Sequence, residues 1–295
     1  MARPVVGLAL ASFAAFSLAV QSLAVRRATR TQSVAALTGT VFAVNVFLLV
    51  PVTAVRHAPD YGLTARSVLA FAAGGALGSL LARVALFVGI SRLGASRAEP
   101  LKSTFPLVSV AAAVLVLGDR LTVPLLAGVT LLVAGAVAVS WDARKSGVAA
   151  SGRQAWVDLA FPLAAAVLLG IDPVFTKTGL EEGTPALVGV TVRVLAAASG
   201  FAGYLLWRRA RRRGTGLTRP TRWAVAAGLA NTAYLGSYLA ALSRAPVSVV
   251  APILGASPLL VVLGSALFAR EEEVTARLGV AVAVLVAGVV LIVRG

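Results

Sequence analysis

Cysteine is absent from all 295 residues, which excludes disulfides, iron–sulfur clusters and thiol catalysis. Histidine occurs once, as His57, in a short polar stretch with Arg56 and Asp60. A lone imidazole without a carboxylate cluster is not a metal site, so no metal and no other cofactor is expected. Charge is scarce as well: Asp, Glu, Lys and Arg make up 13% of the chain. The phosphate loop that would let ATP drive the protein directly is missing. So are a nucleophile elbow, an HExxH pair and an acid pair with histidine. Nothing in the chain reads as an enzyme.

What is abundant is apolar surface, at 59% of residues and a mean hydropathy of +0.91. A water-soluble fold would need far more polar surface, so lipid is the expected solvent. The net charge of +16 does not point to nucleic acid. The basic residues sit in short loops between apolar runs, with no basic stripe carrying interleaved aromatics. In a membrane protein such clusters set orientation and touch anionic headgroups. The expected partners are therefore membrane lipid and a small-molecule substrate.

A spanning helix needs ~20 mostly apolar residues. Ten stretches qualify: 4–23, 33–55, 66–90, 95–117, 121–141, 156–176, 185–208, 221–242, 246–268 and 274–293. The first is read as a retained helix and not a cleaved leader, because no small-residue site ends it. The polar stretch 142–155 is the linker. It divides the chain into residues 1–141 and 156–295, five helices each.

The halves repeat. Phe105 to Thr122 reads FPLVSVAAAVLVLGDRLT, and Ser257 to Thr275 reads SPLLVVLGSALFAREEEVT. Each copy opens with proline, closes in an acidic-basic turn and leads into a further apolar helix. Pro100 aligns with Pro252 and Pro106 with Pro258 at one constant offset. Five is odd, so the second half must enter the bilayer from the opposite side. The expected fold is all-α, ten transmembrane helices in two inverted five-helix repeats, with substrate bound near the midplane.

These motifs carry a family resemblance. The run Pro106…Gly118-Asp119-Arg120-Leu121-Thr122…Gly135 and its copy Pro258…Glu272-Glu273-Val274-Thr275…Gly288 resemble the two halves of an EamA-type permease of the drug/metabolite transporter superfamily. Asp119 stands where that family most often has Glu. The resemblance covers essentially the full length. It implies ten helices, a multi-pass position in the cell membrane, and export or exchange of small metabolites by alternating access. It names no substrate.

Orientation is contested within the sequence. The side carrying the N-terminus holds Arg3, Arg56, Arg66, Arg120, Lys177, Arg244 and Arg294. The other holds far more, including Arg26, Arg27, Arg30, Arg144, Lys145 and the arginines of 208–222. The positive-inside rule puts that second side in the cytoplasm. The family resemblance implies cytoplasmic termini. The sequence leaves the two in opposition.

A charge at the centre of a spanning helix costs ~2.5–3.5 kcal/mol on insertion scales, so each needs a reason. Arg83, Glu99 and Lys102 fall at comparable depth on adjacent helices. They can line a polar cavity that pairs with an anionic substrate group, or form an internal ion pair. Asp172, followed by Pro173, can couple protons beside a helix kink, or sit neutral or paired with Lys177. Arg193 can pair with Asp172 or Glu182, or lie nearer an interface. Asn231, Tyr234 and Tyr238 share one helix face. Gln21 and Asn45 are amides that are costly to bury unpaired. Pro100, Pro106, Pro252 and Pro258 are expected to free carbonyls and let helices hinge. Asp119 and the acids 271–273 are expected to cap the helices that directly follow them. The Gly74-xxx-Gly78 motif lets backbones approach; within one chain it more often serves internal packing, and pairing of two copies as a homodimer is left open.

The expected function is a secondary, gradient- or exchange-driven permease for a small polar or amphipathic metabolite. An integral-membrane lipid-modifying enzyme would need a catalytic cluster at an interface. A non-transporting sensor or scaffold would need an effector domain.

Overall fold

The computed structural model describes residues 2–93, 101–102, 104–120, 122–142, 153–211 and 214–255, with the single positions 257, 260, 284, 287–288 and 291. Every regular element among them is helical. In chain order these are α1 (Ala2–Ala28), α2 (Val34–His57), α3 (Ala65–Gly74), a π-helical segment π1 (Gly75–Leu81) and α4 (Ala82–Leu93). Then come α5 (Phe105–Ala112), a second π-helical segment π2 (Ala113–Leu117), α6 (Val123–Asp142), α7 (Arg153–Glu181), α8 (Ala186–Ala210), α9 (Arg222–Leu242) and α10 (Val247–Gly255). Six stretches are long and apolar enough to cross a membrane: Val5–Val25, Val34–His57, Ala65–Leu86, Leu159–Glu181, Ala186–Ala210 and Arg222–Leu242. Phe105–Leu117 is a shorter apolar stretch. The chain is a multi-pass membrane protein. Glu99, Pro100, Pro258, the acids 271–273 and most of the expected tenth helix lie outside the described residues.

Local chemistry sets the helix starts. Ser33 accepts a hydrogen bond from the Ala36 amide and opens α2. Thr64 and Ser67 form a reciprocal capping box at α3, and Thr221 accepts from the Ala224 amide at α9. Each satisfies amides that a helix start leaves without intrahelical partners. Gly118, at φ 70°, ends π2 in the left-handed conformation that glycine adopts without steric cost.

The expected helix 95–117 is not continuous up to Pro106. Thr104 forms a turn, its amide bonding the Leu101 carbonyl at 3.3 Å, and α5 begins at Phe105 with Pro106 in its first turn. Proline there removes no intrahelical bond, so Pro106 opens a helix and does not kink one. Pro252 does lie inside α10. His57, expected in a loop, is the last residue of α2.

The chain forms two compact units, and they are not the two halves. Unit 1 holds Met1–Leu80 and Phe175–Ala245; unit 2 holds Leu81–Val174 and Pro246–Gly295. In unit 1, α1, α2 and α9 pack through Ala24, Ala28, Leu37, Val41, Ala224 and Ala227. Phe71 of α3 lies against Gly179 and Gly189, where added Cβ atoms would fall 2.8 and 2.4 Å from its ring. The three elements from each half run in opposite senses. The start of α3 meets the end of α7 through Thr64 and Arg66 to Glu182, and the start of α2 meets the loop after α8 through Ser33 and the Gly216 carbonyl.

In unit 2, α5 packs on α10, with Pro106 against Gly255, and on α7, with Val108 against Gly170. The Asp119 carboxylate accepts the Ser248 amide of α10 at 3.1 Å. Asp119 therefore caps a helix of the other half and not the one that follows it. That one, α6, is held by Thr122, whose hydroxyl accepts from the Leu125 amide at 3.3 Å.

Candidate functional site

Several polar side chains are buried inside the apolar helices of unit 1. Gln21 of α1, Asn45 of α2 and Asn231 of α9 are all buried, Asn45 completely, and they meet. In one arrangement Asn45 Nδ2 donates to Asn231 Oδ1 at 2.7 Å, Asn231 Nδ2 to Gln21 Oε1 at 3.0 Å, and Thr232 Oγ1 to Asn45 Oδ1 at 2.8 Å. With the Asn45 amide turned over, its nitrogen donates to Thr232 Oγ1 and to the carbonyls of Gly228, at 3.1 Å, and Val41, at 3.2 Å. Its oxygen then requires a donor at Asn231, so that amide turns with it.

Along the same face of α9, the Tyr234 and Tyr238 rings stack at 5.7 Å and 14°. Tyr238 reaches a second centre. Arg193 of α8 is only 2% exposed and sits with its guanidinium carbon 5.8 Å from the Tyr238 ring centroid, within cation–π range. Its Nε donates to Ser79 Oγ of π1 at 3.2 Å, and one terminal nitrogen donates to Thr176 Oγ1 of α7 at 2.8 Å. π-helical segments widen a helix by one residue and recur at functional sites. Here π1 presents Ser79 to the buried cation. The Gly75 that opens π1 lies so close to α8 that a Cβ would fall 2.2 Å from the Arg193 carbonyl oxygen.

A third polar contact joins α2 and α8. Thr191 Oγ1 donates to the Leu187 carbonyl at 3.0 Å, so at 2.6 Å it is Thr53 that donates to Thr191. The two hydroxyls stand in the wall of a groove of 240 Å³ lined also by Tyr61 and by apolar groups, among them Val50, Leu63, Val188 and Leu195. In unit 2, a groove of 330 Å³ between α5, π2 and α6 is apolar almost throughout.

The structure thus brings together Gln21, Asn45, Asn231, Tyr234 and Tyr238 from the sequence reading. Arg193 pairs with hydroxyls and a ring, while Glu182 takes Arg66 at 2.9 Å. Lys177 donates to the Leu242 carbonyl at 2.7 Å. Arg83 and Lys102 are half-buried residues of unit 2, and Glu99, the third member of their expected cluster, lies outside the described residues. Asp172 is 4% exposed and stands inside α7 immediately before Pro173. Ser79, Thr176, Thr232, Thr53 and Thr191 were not singled out in the sequence. Membrane Ser and Thr most often bond their own backbone, and only the adjacency of Thr232 to Asn231 offered a signal. Among the described residues no group of His, Cys, Asp and Glu could hold a metal.

Comparison with known proteins gives two findings. The model of the EamA-like transporter family matches twice, over residues 5–141 and 156–294. A solved structure titled "Crystal structure of protein" superposes with a TM-score of 0.78 over 99% of this chain and 98% of that one, at 19% identity. That likeness is one of fold. No curated protein matches the chain.

Proposed function

This chain belongs to the EamA-like transporter family, and we propose that within it the protein is a secondary permease of ten helices in two inverted five-helix repeats, exporting a small polar or amphipathic metabolite across the cell membrane by alternating access. One observation carries the reading: the buried guanidinium, amides and hydroxyls of unit 1 lie inside apolar helices. Such groups at membrane depth mark substrate paths by default. Unit 1 draws elements from both halves, so this polar interior lies between the repeats, where transporters of this build hold their cargo. Arg193 and the amide donors suit a cargo rich in acceptor oxygens, and the stacked tyrosines suit its planar or apolar part.

The three places where the chain passes between units support a conformational mechanism. The passage at Leu80 falls in π1, that at Val174 directly follows Pro173, and that at Ala245 precedes Pro246. Each is a point where regular helix geometry is interrupted, and such points absorb the dihedral changes of a hinge. Pro252, inside α10, adds a carbonyl without its intrahelical partner. Asp172, a buried carboxyl beside one of these passages, is assigned the coupling proton.

Flux in proteoliposomes tests the reading. Arg193→Gln and Asn231→Leu should cut flux about tenfold or more while the purified variants keep their helix content; a cost of ~1.4 kcal/mol already gives that factor. Asp172→Asn should abolish uptake driven by a pH gradient and spare substrate exchange. Unchanged flux in both polar variants would remove unit 1 from the transport path.

A further inference from the structure

One end of unit 1 is built from arginine. The turn between α1 and α2 lies in the sequence RRATRTQS from Arg26 to Ser33, and the segment between α8 and α9 reads RRARRRGTGLTRPTR from Arg208 to Arg222. Together they hold ten arginines, three and seven, and no acidic residue. The structure joins the two segments. Gln32 donates to the Arg219 carbonyl at 2.5 Å and accepts from Thr221 Oγ1 at 3.1 Å, and Ser33 donates to the Gly216 carbonyl. The described basic side chains thus stand on two segments that are tied together. The opposite end of the same unit is nearly balanced. There five cations between Arg3 and Arg244 stand with Asp60, Glu181 and Glu182, and Arg66 pairs with Glu182 at 2.9 Å.

Aromatic rings lie just inside the arginines. Along α8 the buried Phe201 gives way to Tyr204 and Trp207, the latter 49% exposed, and then to arginine. Arg208 lies 5.9 Å from the Tyr204 ring and Arg211 6.0 Å from that of Trp207. Trp223 of α9 has Arg27 at 4.6 Å and Arg222 at 5.4 Å. The order apolar, aromatic, basic is that of acyl chain, interface and headgroup.

We propose that the arginine end of unit 1 is a docking surface for anionic phospholipid headgroups of the cytoplasmic leaflet, so that α1 begins outside the cell and runs inward. Guanidinium groups take phosphate bidentately. A basic surface whose two segments hold no acidic residue has a bilayer of opposite charge as its natural counterion. This orientation is the reverse of the one the family resemblance implies.

The absence of cysteine makes the test direct. Single-cysteine variants Leu63→Cys, at the balanced end, and Thr218→Cys, at the arginine end, are exposed positions. Both should react with a maleimide once the membrane is opened. In intact cells a membrane-impermeant maleimide should label Leu63→Cys about tenfold more than Thr218→Cys if the arginine end obeys the positive-inside rule; the opposite pattern overturns the proposal. Independently, the purified chain should melt several degrees higher in nanodiscs containing phosphatidylglycerol than in phosphatidylcholine alone. The gain should shrink with salt and in Arg209→Gln/Arg219→Gln, while that variant melts like wild type in phosphatidylcholine. Equal melting in both lipids, or the same gain from inorganic phosphate or a short RNA, overturns it.

Discussion

Asn45 is the most completely enclosed amide in the described polar interior, and its side-chain partners, Asn231 and Thr232, both stand on α9 of the other half. An amide left without partners in an apolar medium costs several kcal/mol, so the contact between Asn45 and Asn231 should be measurable against that background. In a double-mutant cycle of Asn45→Ala and Asn231→Ala, stability in detergent should show a coupling of ~0.6 to 1.7 kcal/mol, the span found for interhelical hydrogen bonds. Additive losses would mean that each amide is satisfied by Gln21, Thr232 or backbone without the other. The sequence singled out these amides because their burial is expensive whatever their partner. It could group Arg83 with Glu99 and Lys102 because depth along a helix can be counted from its ends, whereas the partners of Arg193 depend on which face it occupies and on neighbours not yet placed. Thr232 shows why hydroxyls stay hidden: its Oγ1 lies 3.0 Å from the Gly228 carbonyl of its own helix, the bond a sequence reading assumes, and also 2.8 Å from the Asn45 amide.

At the scale of elements, six membrane-length apolar helices were legible and helix irregularity was not. The stretch 66–90 reads as one span, yet α3 passes through π1 before α4. An added residue per turn shifts the helical register, and a uniformly apolar run offers no pattern against which a shift would show. The Asp119 turn is similar. Its capping chemistry is evident from Gly-Asp-Arg, but the amide it caps, at Ser248, is 129 residues away. Packing at π1 is tight enough to predict. Gly75→Ala would set a Cβ 2.2 Å from a backbone oxygen of α8, and neither side is a flexible side chain that can yield. It should destabilise by ~1–3 kcal/mol. Gly203→Ala, on the same α8 with nothing within 4 Å of its Cβ, should instead stabilise by up to ~1 kcal/mol through helix propensity. Thermal melts of the pair decide it, and equal shifts would contradict the packing at π1.

At the scale of the whole molecule, the repeat was visible in sequence and its consequence for compactness was not. Repetition of motifs says which segments are equivalent; it does not say which segments bury each other. Each compact unit takes residues from both halves, so cutting the chain within 142–155 divides both units. Residues 1–141 and 156–295 produced together should purify as one complex, and either produced alone should be lost or polydisperse. A monodisperse, folded half would show that the repeats are self-sufficient. The same interleaving bears on how the protein is made. Asn45 precedes Asn231 by 186 residues, so during synthesis the first polar side chains enter the bilayer long before their partners exist. The nascent chain must therefore hold an unfinished interior open while more than half its length is still to be translated, and insertion machinery has to shelter early helices until late ones arrive.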